Sequence, residues 1–262
     1  MSKLSQENKF FDVSDYGRPI ANFCANILKN TVATPVQVTL VFGVCGLCAV
    51  YCILHGFYIT AGILLILKSI IDAIDGELSR LKKTPSYTGR YLDSIFDIIL
   101  NFLFLMAIWH VSQVSIWLAL VAFVCIQLQG TLYNYYYVIL RNSSEGGDIT
   151  SKIFETKIPE ALPGEQQKTV NILFKIFTVL YRVYDRSIYL IDQDAIKMRT
   201  FPNWFMTMVS FYGLGFQLMI MAVMLSLGWV EFIIPFFIFY TGLMFVFVGI
   251  RKGYLASKMV VA

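Results

Sequence analysis

The chain has 262 residues, of which 57% are hydrophobic and only 15% charged, with a formal net charge of +4 and a mean hydropathy of +0.66. Soluble domains carry about a quarter charged residues, so a water-facing globule is excluded. The apolar make-up also excludes a disordered chain and a collagen, and five cysteines in this length exclude a secreted disulfide scaffold.

The first twenty residues are polar at their start (Met1-Ser2-Lys3-Leu4-Ser5-Gln6-Glu7-Asn8-Lys9), so no cleavable signal segment is expected. Asp12 to Asn30 sets apolar Ile20, Phe23, Ile27 and Leu28 among polar positions, the pattern of a helix lying at a membrane surface. Six apolar runs are then long enough to cross a bilayer. They are Pro35 to Leu54, Phe57 to Ile74, Tyr91 to Val111, Val114 to Leu140, Phe205 to Leu227 and Phe232 to Ile250. Cys45, Cys48 and Cys52 share one face of the first run; without a second pair or nearby histidines they read as apolar filler, not a metal or redox centre.

Between the fourth and fifth runs, Asn142 to Gln167 is a loop rich in Ser, Glu, Gly and Pro. Its Asn142-Ser143-Ser144 triplet has the form of a glycosylation acceptor but falls on the expected cytoplasmic side. Asn171 to Ile191 follows with an apolar stripe of Leu173, Ile176, Phe177, Leu180, Tyr184, Ile188 and Ile191. Asn171, Lys175, Thr178, Arg182, Asp185 and Arg186 form the opposite stripe. This predicts a second surface helix with its basic side toward lipid headgroups; packing on a protein partner is the alternative. No internal repeat supports an inverted-repeat transporter.

The connectors His55-Gly56, Ser112-Gln113 and Gly228-Trp229-Val230-Glu231 carry no Lys or Arg, whereas every basic residue except Lys68 falls on the other side. Positive-inside asymmetry of this kind predicts cytoplasmic termini, and Trp109, Trp117 and Trp229 at the bare ends suit an outer aromatic belt. The expected fold is therefore all-α: a polytopic membrane protein of six transmembrane helices. Cytoplasmic amphipathic helices precede span one and separate spans four and five. Residues 1–262 are read as one membrane domain: 12–30 a surface helix, 35–140 spans one to four with the site, 142–200 the cytoplasmic loop and helix, 205–250 the last two spans.

Four of the seventeen acidic residues stand apart. Asp72 and Asp75 close the second run at i, i+3, and Asp93 and Asp97 open the third at i, i+4, so each pair shares a helical face. Carboxylates at membrane depth are costly and normally face a cavity, a metal or a cation. Hard divalent ions, chiefly Mg²⁺, are their natural counterions; ion pairs to Arg80 and Lys68 that merely end two helices are the bland alternative. Gly76 and Gly89 are expected to open the backbone toward a ligand, and Arg80 offers a fork suited to a diphosphate.

Written out, the stretch is Asp72-x-x-Asp75-Gly76-x-x-Ser79-Arg80, eight residues, Gly89-x-x-x-Asp93-x-x-x-Asp97. It resembles the signature of the CDP-alcohol phosphotransferases, the membrane enzymes of phospholipid headgroup synthesis. Ser79 stands where that family usually has Ala, and Val36 where many members have Asn or Asp. A Thr34-Pro35-x-x-x-Thr39 entry to the first span extends the likeness, which is good over about residues 15 to 140 and looser beyond.

The resemblance implies a two-ion site of Mg²⁺, or of Mn²⁺ in its place. Asp72, Asp75 and Asp93 would hold one ion, and Asp72, Asp93 and Asp97 the second. Asp97 would also deprotonate an acceptor hydroxyl, which attacks a CDP-linked donor and releases CMP. Gly76, Arg80 and Gly89 would cradle the CDP moiety, with Ser86 and Thr39 as further contacts, and a homodimer in the cell (inner) membrane is implied, with its site facing the cytoplasm and no nucleic-acid partner. CDP-diacylglycerol is the expected donor and a small polyol, polyol phosphate or amino alcohol the acceptor; a CDP-aminoalcohol donor with diacylglycerol as acceptor is the alternative. Lys68, Asn101, Asn134, Tyr135 and Arg141 are candidate acceptor-pocket groups, though interhelical hydrogen bonding would explain them equally. An aspartate-rich membrane prenyltransferase would want a second acidic segment and more spans, and a transporter would want polar groups along a path, not at one end.

Overall fold

The computed structural model describes residues 8–142, 154–198 and 200–255; Ser143 and Ser144 of the glycosylation triplet lie outside them. Every regular element among the described residues is helical. After a short 3₁₀ turn at Val13–Asp15 come α1 (Arg18–Leu28), α2 (Pro35–Leu54), α3 (Tyr58–Lys82), α4 (Tyr87–Ser112) and α5 (Ile116–Asn142). The chain continues with α6 (Gln167–Ile191), α7 (Asn203–Val209), α8 (Leu214–Ser226), α9 (Val230–Tyr240) and α10 (Leu243–Ile250).

Among the described residues, four helical rods are long and apolar enough to cross a membrane: α2, α4, α5 and the continuous run Val230–Gly253 that contains α9 and α10. The α7–α8 pair is bent by 51° and makes a fifth if counted as one span. Of the six predicted runs, the second therefore falls outside this set, because α3 carries Lys68, Asp72 and Asp75 along its length.

The predicted fifth run is broken where a segment from the start of the chain meets it. Gly213 is extended (φ −66°, ψ 149°), and the 3₁₀ turn at Val13–Asp15 presses into the bend. Val13 donates its N–H to Ser210 Oγ at 3.0 Å. A Cβ on Gly215 would lie 2.0 Å from the Ser14 carbonyl oxygen, so only glycine admits that approach.

Helix starts follow sequence signals. Thr34 and Gln37 form a capping box in front of α2, with Pro35 at its first position, and Ser86 caps α4. The main core lies between α2, α3, α4, α5, α8 and α9, and a second between α5, α7 and α10. Polar glue crosses it: Gln129 donates to the Phe237 carbonyl (3.0 Å) and to Thr241 Oγ1 (2.8 Å), and Gln217 donates to Gln129 Oε1 (3.0 Å).

The two helices expected at the membrane surface, α1 and α6, bury few of their apolar residues against the rest of the protein. On α1 the small residues Ala21 and Ala25 pack against Ile74 and Leu78, leaving Ile20, Phe23 and Ile27 exposed. On α6 the deepest contacts are Val170, Phe174 and Ile188, while Ile176 of the predicted stripe is exposed. Ile172, Val179, Val183 and Leu190 are exposed as well, so α6 has apolar residues on two faces and a 3.6-residue period alone picks between them poorly.

Candidate active site

The hairpin of α3 and α4 is closed by a short turn in which Lys83 takes the left-handed conformation (φ 54°). That turn sets the end of α3 beside the start of α4. Asp72, Asp75 and Asp93 then each offer a carboxylate oxygen within 4.8 Å of one another. Asp93 Oδ1 is buried with no hydrogen-bond partner among the described residues. Thr39 of α2 donates its hydroxyl to Asp75 Oδ2 at 2.7 Å, so this residue touches the carboxylate cluster itself.

Asp97, one turn further along α4, is bonded by the ammonium of Lys68. That ammonium also lies 3.5 Å from Asp72 Oδ2 and 4.6 Å from the Phe42 ring centroid. Four carboxylates meeting one buried ammonium leave a surplus of negative charge, and an oxygen without a partner faces into it. Hard divalent cations fit this donor set: the ligands are all carboxylate oxygens, and they converge from two helices.

Arg80 is held on the same end of α3. Its Nη2 donates to Glu77 Oε2 at 2.6 Å, and Arg18 of α1 reaches the same oxygen at 3.4 Å. Arg80 Nε remains buried without a hydrogen-bond partner among the described residues. The helix does not open at Gly76, contrary to expectation; α3 runs through it to Lys82. Bare backbone there lies beside the guanidinium, with an added Cβ 3.6 Å from Arg80 Nη1. Gly89 likewise lies inside the first turn of α4, its N–H capped by Ser86 Oγ at 2.8 Å.

The acceptor-pocket candidates scatter. Asn101 is buried two turns beyond Asp93 on α4, and Asn134 is exposed on α5. Tyr135 donates instead to the Asp192 carbonyl at 2.9 Å, part of a buried latch in which Asp192 pairs with Arg251 and accepts from Tyr136. Arg141 sits at the end of α5, within electrostatic reach of Tyr137.

Sequence reasoning missed the contribution of the stretch 154–188, which covers the start of α4. Glu165 accepts from Ser86 Oγ (2.7 Å) and from the N–H groups of Thr88 (2.6 Å) and Tyr87 (3.2 Å). Burial pushes the Glu165 carboxyl up, but these amides and hydroxyls outweigh it and hold it below the usual carboxylate range. Glu155 pairs with Arg90 and accepts from Tyr91 at 2.6 Å. Tyr181 donates to the Ser94 carbonyl at 2.7 Å. Burial, with Asp97 and Asp93 nearby, holds its phenol well above the ordinary range, so it stays a donor. No local sequence signal marks these pairings, since the partners are 64 to 87 residues apart.

Compared with known proteins, residues 32–248 match the model of one family, described as CDP-alcohol phosphatidyltransferase. No curated protein matches the chain at a significant level.

Proposed function

The chain belongs to the CDP-alcohol phosphatidyltransferase family, and we propose on that premise that it transfers the phosphatidyl group of CDP-diacylglycerol to a hydroxyl of a small polyol, polyol phosphate or amino alcohol, releasing CMP. The observation that carries this reading is the convergence of Asp72, Asp75 and Asp93, with Asp97 and Lys68 beside them, where α3 meets α4.

Asp72, Asp75 and Asp93 would hold one Mg²⁺ and Asp72, Asp93 and Asp97 a second, with Mn²⁺ suiting the same oxygens. Such ions neutralise the diphosphate and the departing phosphate of CMP. Asp97 accepts the proton of the acceptor hydroxyl. The freed oxygen bonds to the β-phosphorus, the bond from that phosphorus to the bridging oxygen breaks, and its electron pair leaves with CMP. Arg80 donates its unpaired Nε–H to a diphosphate oxygen, and the bare backbone at Gly76 leaves room beside it. Lys68 balances the charge of Asp97 until substrate arrives.

The chain is an integral membrane protein by its family and its apolar helices. We read α3 as a sixth crossing: its 25 residues span roughly 37 Å, longer than a hydrocarbon core of about 30 Å. The basic connectors favour a site and termini on the cytoplasmic side, with α1 and α6 along the membrane surface; a dimer in the cell membrane is what membership of the family implies. The test is direct. Purified protein given CDP-diacylglycerol and a panel of glycerol phosphate, inositol, inositol phosphate, serine and choline should release CMP with one acceptor, in Mg²⁺ and not in EDTA. Absence of CMP from any CDP-linked donor would overturn the reading.

A further inference from the structure

Contacts from the stretch 154–188 converge on the first two turns of α4, and they differ in what they hold. Glu165 supplies the missing acceptors of a helix start, an ordinary capping role. Glu155, Phe174 and Phe177 gather Arg90 and Tyr91, with ring centroids 5.8 and 5.2 Å from that of Tyr91. The contact of Tyr181 is of another kind. Its hydroxyl reaches the carbonyl of Ser94, which lies between Asp93 and Asp97, at 2.7 Å.

Inside a helix that carbonyl already accepts the N–H four residues on, so it needs no further donor. A carbonyl has a second lone pair, and a phenol placed there adds restraint without repairing a defect. The ring itself is aimed by stacking on Phe177, centroid to centroid 4.9 Å, and Phe177 is seated over Arg90 at 5.7 Å. The chain of contact runs from the α4 start through Phe177 to Tyr181 and back to α4 one turn deeper. That turn carries two carboxylates which repel each other and Asp72 in the absence of cations. Functional constellations tolerate displacements of only about half an ångström, so a rotation of α4 at Ser94 would spoil the site.

We propose that Tyr181 is a positioning residue for the carboxylate site: its hydroxyl, delivered by α6, sets the spacing of Asp93 and Asp97 for divalent-cation binding. The residue acts through the backbone of Ser94, and the stretch 154–188 thereby becomes part of the active site. The inference rests on the cluster being a divalent-cation site, as read above.

Tyr181→Phe keeps the ring and its stack and removes one hydroxyl. Mn²⁺ binding to the purified protein, titrated by electron paramagnetic resonance, reports on the site without any need for turnover. The variant is expected to lose roughly tenfold in Mn²⁺ affinity, the scale at which outer partners of metal ligands act, with an unchanged metal-free Tm. The half-saturating Mg²⁺ for CMP release should rise by the same factor, and the rate should recover at high Mg²⁺. Phe177→Leu, which loosens the stack that aims Tyr181, should weaken Mn²⁺ in the same direction by less, and Tyr184→Phe should match the wild type. Unaltered Mn²⁺ affinity in Tyr181→Phe overturns the proposal, and so does a lower metal-free Tm with unaltered affinity, which would mark a purely structural bond. Wild-type protein that binds Mn²⁺ yet releases no CMP refutes the transferase reading alone; wild-type protein that binds no Mn²⁺ refutes this proposal as well.

Discussion

Lys68 binds the carboxylate of Asp97 across the α3–α4 interface while lying 3.5 Å from Asp72 on its own helix, and its side chain is 1% exposed. This one ammonium, a turn before the signature, thus faces two of its carboxylates before any cation enters. Removing one partner of a buried pair leaves the other uncompensated, at about 3–5 kcal/mol. Lys68→Met should therefore unfold at a markedly lower temperature than the wild type in EDTA, and Mg²⁺ should restore more Tm to the variant than to the wild type. Equal thermal stability of the two proteins in EDTA would show that the pair contributes nothing.

Asp93 and Asp72 are the carboxylates proposed to serve both ions. Asp72→Asn or Asp93→Asn should abolish CMP release and weaken Mg²⁺-dependent binding of CDP, measured by calorimetry. Chelation should lower the Tm of the wild type, as loss of any native-state ligand does, and leave these variants nearly unmoved. Full activity in either would make the carboxylates structural.

How much of this was legible depends on the range of the interaction. Asp72 with Asp75 and Asp93 with Asp97 each lie within about one helical turn, and the chain spells those pairs out; Ser86, expected as a CDP contact, instead caps α4 and donates to Glu165. The break at Gly213 depends on Ser14, about two hundred residues upstream, so a hydropathy window over Phe205 to Leu227 sees only one apolar run. Gly76 carried a signal that was misassigned: the sequence marks a place without a side chain, and only the fold shows it inside an unbroken helix beside Arg80. On α6, apolar residues on two faces hid which side meets α4, and with it Tyr181.

Asp185 gives the chain a pH dependence outside the bundle. Burial pushes its carboxyl up to about 7, against the pull of Arg90. An unfolded aspartate titrates near about 3.9, so between these values the folded state keeps a proton that the unfolded state gives up. Its contribution therefore falls as pH rises from about 4 to about 7 and changes no further above that. Asp185→Asn, which cannot ionise, should gain stability relative to the wild type over this window. The difference in Tm between the two proteins, followed from pH 5 to pH 8, checks the sign; a gap that narrows with rising pH would contradict it.

Gly56 to Thr60 together with Leu225, Ser226 and Gly228 line one shallow crevice of about 390 Å³, so the α2–α3 and α8–α9 connectors share an end of the bundle. With all five native cysteines replaced, Cys introduced at Gly56 or Gly228 should react with an impermeant maleimide from outside intact cells. Cys at Lys157, exposed two residues beyond Glu155, should react only after permeabilisation. Labelling of Gly56→Cys from the cytoplasm would remove α3 from the set of crossings.

Asp97 is the residue whose two proposed roles separate most cleanly. It stands one turn beyond Asp93 on α4 and outside the trio of mutually close carboxylates, and its bond goes to Lys68. If it takes the proton of the acceptor, Asp97→Asn should lose about 10²–10⁴-fold in rate, the range typical of a general base. Binding of CDP should survive, since Asp72, Asp75, Asp93 and the Nε–H of Arg80 remain. Asparagine keeps a carbonyl oxygen for Lys68 and Asp72 still faces the ammonium, so the protein should fold, at a Tm below that of the wild type. The expected protein is folded, binds CDP in Mg²⁺ and is nearly inactive. Collapse of CDP affinity together with the rate would make Asp97 chiefly a cation ligand. Lys68 is a poor replacement base, because an ammonium between Asp97 and Asp72 has no lone pair to accept a proton.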